Sequence, residues 1–127
     1  MVTEQTSYSA VLGVVLSNMR KMKNIEQGDM AQRMGLSQAS YSRLESGKSS
    51  FSIDQMYQAS IALGVEGHEL TTALNDTIVR LQESGVEVIP QVRGNTKQAK
   101  SSTAGDVGKV IAGATLGAML VTLLSKR

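Results

Sequence analysis

The stretch GLSQASYSRLESG, residues 35–47, decides how this chain is read. Glycine opens and closes it. Between the two lie small polar residues, a glutamine, an arginine and only three sizeable apolar side chains, Leu36, Tyr41 and Leu44. Ser37 is a favourable N-cap, and Gly47 suits the left-handed position that ends many helices. The pattern predicts a short helix over 38–46 that buries a narrow face through Tyr41 and Leu44. Gln38, Ala39, Ser42 and Arg43 then face outward. A glutamine amide can bond the edge of adenine, and a guanidinium can fork onto guanine. The helix N-terminus and the short hydroxyls beside it suit phosphate oxygens.

The flanks supply four more helices. Over 7–22, Leu12, Val15, Leu16, Met19 and Met22 recur at helical spacing, and Lys21 and Lys23 complement the carbonyl end. Met30, Ala31 and Met34 give 27–34 an apolar face that Gly35 terminates. Ser52 and Gln55 form a capping box ahead of Met56, Ala59 and Leu63, with Gly64 as the stop. Leu70, Leu74, Ile78 and Leu81 mark a fifth helix over 66–84, closed by Gly85. The expectation is an all-α domain over 7–85 with a core of Leu, Ile, Val and Met. Its second and third helices, joined by the tight turn 35–37, form a helix-turn-helix. In that geometry the first helix crosses the nucleic-acid backbone and the second enters the major groove.

Together these features resemble the phage repressor/Cro-like (XRE) helix-turn-helix family. The resemblance covers about 12–65. It rests on Ala31, Gly35, Ser37-Gln38, the run Ser42-Arg43-Leu44-Glu45 before Gly47, and Ile61-Ala62-Leu63-Gly64. It implies a five-helix bundle that binds operator DNA as a dimer. It implies base contacts from Gln38, Ala39 and Arg43, and phosphate contacts from Gln27, Ser40 and Lys48. It also implies a structural pair between Arg20 and Glu45. Two positions depart from the family pattern. Glu26 stands where the family prefers Ser or Thr as the second helix's N-cap. Gly28 costs up to about 1 kcal/mol of helix propensity.

Composition narrows the alternatives. The 127 residues contain no cysteine and one histidine, His68. Disulfides and thiolate metal sites are excluded, and no histidine-based triad or multi-histidine site can be assembled. The reading is therefore not an enzyme, with no cofactor and no metal. The net charge of +2 hides an uneven distribution. Arg20, Lys21, Lys23, Arg33, Arg43 and Lys48 cluster around the opening stretch, and a second basic group lies near the C-terminus. Such asymmetry points to a polyanionic partner. The first 22 residues do not read as a secretory leader, because an acid precedes the apolar patch and bases follow it.

The C-terminal third is harder to place. Residues 86–92 (VEVIPQV) alternate loosely, as an edge strand or as extended linker, and Pro90 excludes a central strand. The domain division expected is a linker over 86–104 and a hydrophobic, glycine-rich helix over 105–127. Gly113 and Gly117 form a small-residue step in that helix, and the tail resembles the C-terminal anchors of small bacterial inner-membrane proteins. Three readings stay open for 107–124: an inner-membrane anchor, an oligomerisation helix, or a segment that packs back on its own bundle. The functional expectation is a sequence-specific transcriptional regulator of the Cro/repressor type, cytoplasmic and nucleoid-associated. It would be dimeric on a pseudo-palindromic operator in double-stranded DNA, joined through helix five (Leu70, Leu74, Ile78, Leu81) or the tail. The alternative is a membrane-tethered DNA- or protein-binding adaptor with no transcriptional role.

Overall fold

A computed structural model of the chain describes residues 4–90. The elements run β1 (Gln5–Ser7), α1 (Tyr8–Met22), α2 (Gln27–Arg33), α3 (Gln38–Glu45), α4 (Ile53–Leu63), α5 (Gly67–Glu83) and β2 (Glu87–Ile89). The expectations for 105–127, Gly113 and Gly117 among them, lie outside the described residues.

The helix ends follow from local chemistry. Ser7, Ser37 and Ser52 cap α1, α3 and α4, their hydroxyls accepting from the backbone N–H groups of Ala10, Ser40 and Gln55. Gln55 returns the bond to the Ser52 N–H at 3.0 Å, which completes the capping box. Glu26, by contrast, makes no capping bond for α2. At the end of α2, Gly35 N–H donates to Gln32 C=O at 3.0 Å and Leu36 N–H to Ala31 C=O at 2.9 Å. This bond pair satisfies carbonyls the helix leaves open, and it requires a left-handed residue, which Gly35 supplies at φ +72°. The same bond pair closes the other four helices, at Asn24, Gly47, Gly64 and Gly85. Asn24, at φ +59°, does for α1 what glycine does elsewhere.

α1 is the central element. Seven consecutive residues, Ala10 through Leu16, are buried. Leu12, Val15 and Leu16 join the main core with Ile25, Met30, Ala31, Met34, Tyr41, Ala59, Ala62, Leu63 and Leu70. Ala10, Val11 and Val14 join a second cluster with Leu81, Val86 and Val88. A helix buried on two sides needs cover on both. The second cover comes from the C-terminal half of α5 and from β2. β2 pairs in parallel with β1, in the register Gln5↔Glu87, Thr6↔Val88, Ser7↔Ile89. Parallel strands require a long crossover, and here the whole five-helix bundle is that crossover.

Three expectations need correction. The folded unit runs past residue 85, because Val86 and Val88 are core residues and 87–89 is a strand, so the linker cannot begin at 86. Met22 leaves the apolar face of α1 and is 82% exposed, since the helix outruns its cover at its last turn. Leu70 and Leu81 are fully buried inside the domain, and Leu74 and Ile78 pack against its two clusters. That face of α5 is used internally and is not a free dimer seam.

α1 crosses α3 at Gly13. A Cβ built there would sit 2.5 Å from the backbone oxygen of Glu45 and 2.7 Å from that of Leu44. Those atoms belong to the end of a capped helix and cannot retreat cheaply. Gly13→Ala is expected to lower stability by about 1–3 kcal/mol through overpacking, despite the better helix propensity of alanine. Urea unfolding checks this; an unchanged or raised midpoint contradicts the close crossing.

Candidate nucleic-acid interface

The turn between α2 and α3 and the outer face of α3 carry most of the residues singled out from the sequence. Ser37, Gln38, Ala39, Ser40, Arg43 and Lys48 are all exposed. Ser42 and Gln27 are half-buried. Ala39 and Arg43 are four residues apart, hence on one row of the helix surface. Gln38 begins the adjacent row, about 7.5 Å from Arg43 along the axis. Opposite them, Tyr41 and Leu44 are buried.

Beneath this outer face lies a polar anchor. Arg20 donates from Nε to Glu45 Oε2 at 2.9 Å and from Nη2 to Glu45 Oε1 at 3.1 Å. Its Nη1 donates to the Ile25 carbonyl at 2.9 Å. Tyr41 Oη donates to Glu45 Oε2 at 2.7 Å, and Gln27 Nε2 donates to Glu45 Oε1 at 3.0 Å. Both side chains of the Arg20–Glu45 pair are about nine-tenths buried. The carboxylate thus receives four hydrogen bonds from α1, α2 and α3. Hydrogen bonding to Glu45 raises the Arg20 pKa above its ordinary value. Burial pushes the Tyr41 phenol far above its ordinary range, with the hydrogen bond to Glu45 adding to the effect. The implied Arg20–Glu45 pair is present, and Tyr41, expected as a core residue, is also a member of the network. Its i, i+4 spacing to Glu45 was the available signal.

The anchor reaches the surface through Gln27. Its Nε2 serves Glu45 and its Oε1 accepts from Gln38 Nε2 at 3.4 Å, which orients the Gln38 amide. Gly28 lies beside that amide. A Cβ there would stand 3.4 Å from Gln38 Oε1, an ordinary van der Waals contact, so the glutamine's position does not require a glycine here. Among the clustered bases, Arg20 is neutralised internally and Arg33 donates to the Ala62 carbonyl at 2.9 Å, tying α2 to α4. Arg43 and Lys48 make no side-chain bond to another described residue.

An open groove of about 360 Å³ runs beside α3, lined by Leu36, Ser40, Arg43, Leu44, Ser49, Ser50 and Gln55. No local signal in the sequence marks Ser49 and Ser50 as part of this groove. They come from the loop after α3, whose path is set by Lys48 N–H and Ser49 N–H both donating to the Arg43 carbonyl. Among the described residues no group of His, Asp and Glu is placed to hold a metal, and no helix is long and apolar enough to cross a membrane.

Comparison with known proteins agrees with this geometry. Residues 16–70 match the family model described as helix-turn-helix. Among solved structures, the clp gene regulator ClgR from Corynebacterium glutamicum is similar in two crystal structures. One aligns at 21% identity and a TM-score of 0.53, covering 56% of this chain and 92% of ClgR. The other aligns at 22% identity and a TM-score of 0.56, covering 61% of this chain and 81% of ClgR. At that identity the likeness establishes the fold. No curated protein matches the chain.

The anchor makes two stability predictions. Arg20→Ala leaves a largely buried carboxylate short of its cation and is expected to cost roughly 3 kcal/mol, read by urea unfolding at neutral pH. Tyr41 holds its proton more tightly when folded than when unfolded. Its contribution is therefore complete below about pH 10, the unfolded value, and is lost as pH rises beyond it. Urea midpoints measured from pH 8 to 11 should fall more steeply in the parent protein than in Tyr41→Phe.

Proposed function

We propose that the chain is a sequence-specific DNA-binding regulator of transcription of the XRE type whose reading helix is α3, a reading supported by the match of residues 16–70 to the helix-turn-helix family model. The observation that carries this reading is the presentation of Gln38 and Arg43. Both are exposed on a short helix whose opposite face is locked to α1 and α2, and the Gln38 amide is pre-oriented by Gln27. Ordering these groups before binding lowers the entropic cost of recognition.

In the major groove, the Gln38 amide pairs with adenine, the Arg43 guanidinium with guanine, and the Ala39 methyl with a thymine methyl. Ser37, Ser40, Ser42, Ser49, Ser50 and Lys48 flank that row and serve phosphate oxygens, which position the helix without reading sequence. Gln27 keeps one amide N–H available for a phosphate after serving Glu45. Two copies would occupy a pseudo-palindrome with half-sites about one helical turn apart and act at promoters by occupancy, in the cytoplasm at the nucleoid.

Two measurements test this. In gel-shift series against genomic fragments, Gln38→Ala and Arg43→Ala are each expected to lose about 1–3 kcal/mol of binding and to relax preference at one base position. Lys48→Ala is expected to weaken binding to all sequences alike and to reduce the slope of log K against log salt by about 1. A parent protein that binds no fragment more tightly than random DNA overturns the sequence-specific reading.

A further inference from the structure

α4 has two apolar faces. Ala59, Ala62 and Leu63 are buried in the core. On the other side Ile53, Tyr57 and Ile61 are 68%, 52% and 77% exposed, at i, i+4 and i+8, which places them in one row. The Tyr57 ring lies against the first turn of α5, where a Cβ at Gly67 would stand 2.7 Å from its Cε1. The row is therefore a continuous surface bridging α4 and α5. The charges carried by α4 and the start of α5 are acidic, while Arg33 of α2 reaches the Ala62 carbonyl beside Ile61. Asp54 adjoins one end, Glu66 and Glu69 follow the other, and no Lys or Arg occurs between Lys48 and Arg80.

The size and charge of this face select its occupant. Three side chains of this kind offer on the order of 350 Å² per copy, less than half of the ~800 Å² per partner of a stable interface. A tethered segment needs much less area, because a linker raises its effective concentration to about the millimolar range. The sequence beyond Pro90 contains such a segment. Residues 110–124 are uncharged and apolar, with Lys109 before them and Lys126 and Arg127 after them. The intervening 91–109 reach at most about 65 Å, beyond the ~30 Å width of a domain this size.

We propose that the stretch 110–124 of the same chain covers the Ile53–Tyr57–Ile61 face of α4, its flanking bases set against Asp54 at one end and Glu66 and Glu69 at the other. This covers the face while leaving α3 open, and it does not depend on what α3 binds.

The absence of native cysteine makes the test direct. In the full chain at low micromolar concentration, Ile61→Cys is paired in turn with Leu116→Cys, Met119→Cys or Leu123→Cys, and Gln82→Cys with the same three. Mild oxidation followed by mass spectrometry reads the products. The expected result is a monomeric disulfide from Ile61→Cys at least tenfold faster than from Gln82→Cys, slowed about tenfold by adding Ile53→Glu, an exposed change that leaves the core intact. Equal rates at the two anchors overturn the proposal. So does a dimeric product as the main species, which assigns the face to a second copy. Full chain that floats with phosphatidylethanolamine–phosphatidylglycerol vesicles and forms no Ile61→Cys disulfide without them also overturns it, assigning the stretch to a membrane.

Discussion

The arrangement of the first three helices depends on one carboxylate. Glu45 sits at the last residue of α3 and accepts from Arg20 of α1, Gln27 of α2 and Tyr41 of α3 itself. An ion largely removed from water is tolerable only when its lone pairs are filled, and four donors fill them. Filling them specifies one mutual placement of the three helices, because a guanidinium fork accepts little angular error. Gly13 serves the same junction by a different means, letting α1 approach the final carbonyls of α3 with no side chain between them.

From that junction the molecule divides into an inward and an outward set of polar groups. Arg20 and Arg33 belong to the inward set: one is spent on Glu45 and Ile25, the other on the Ala62 carbonyl. Arg43 and Lys48 belong to the outward set. Within the charge cluster between Arg20 and Lys48 only Arg20 is paired with a carboxylate; Lys21, Lys23, Arg33, Arg43 and Lys48 are exposed, and of these Arg43 and Lys48 stand on and just after α3. Gln27 belongs to both sets, since it joins the buried carboxylate to the exposed Gln38 amide. The buried junction and the exposed face of α3 are coupled through this side chain.

Much of the helical framework was legible because its signals are local. Ser37, Ser52 and the left-handed glycines act within one turn of their own positions, so their chemistry can be read without knowing the fold. The Arg20–Glu45 pair was reachable only through the family resemblance, since 25 residues separate the partners. The second face of α1 was harder still. Ala10, Val11 and Val14 sit in an unbroken apolar run with Leu12, Gly13, Val15 and Leu16, and a search for one stripe discards half of such a run. For the same reason the stripe on α5 looked available for a partner, although α1 and the rest of the core already occupy it.

By itself the sequence determined the five helices of the described residues, where they stop, the turn between α2 and α3, and which side chains of α3 stand opposite its buried face. These follow from periodicity, capping and the left-handed residues, all short-range. Only the tertiary structure decided that 87–89 return to pair with 5–7, that α5 spends its apolar face inside, and that Gln27 holds Gln38 on behalf of Glu45. Those outcomes depend on which surfaces meet across long sequence separations. That competition for burial and for hydrogen-bond partners is settled only when all the surfaces are present at once.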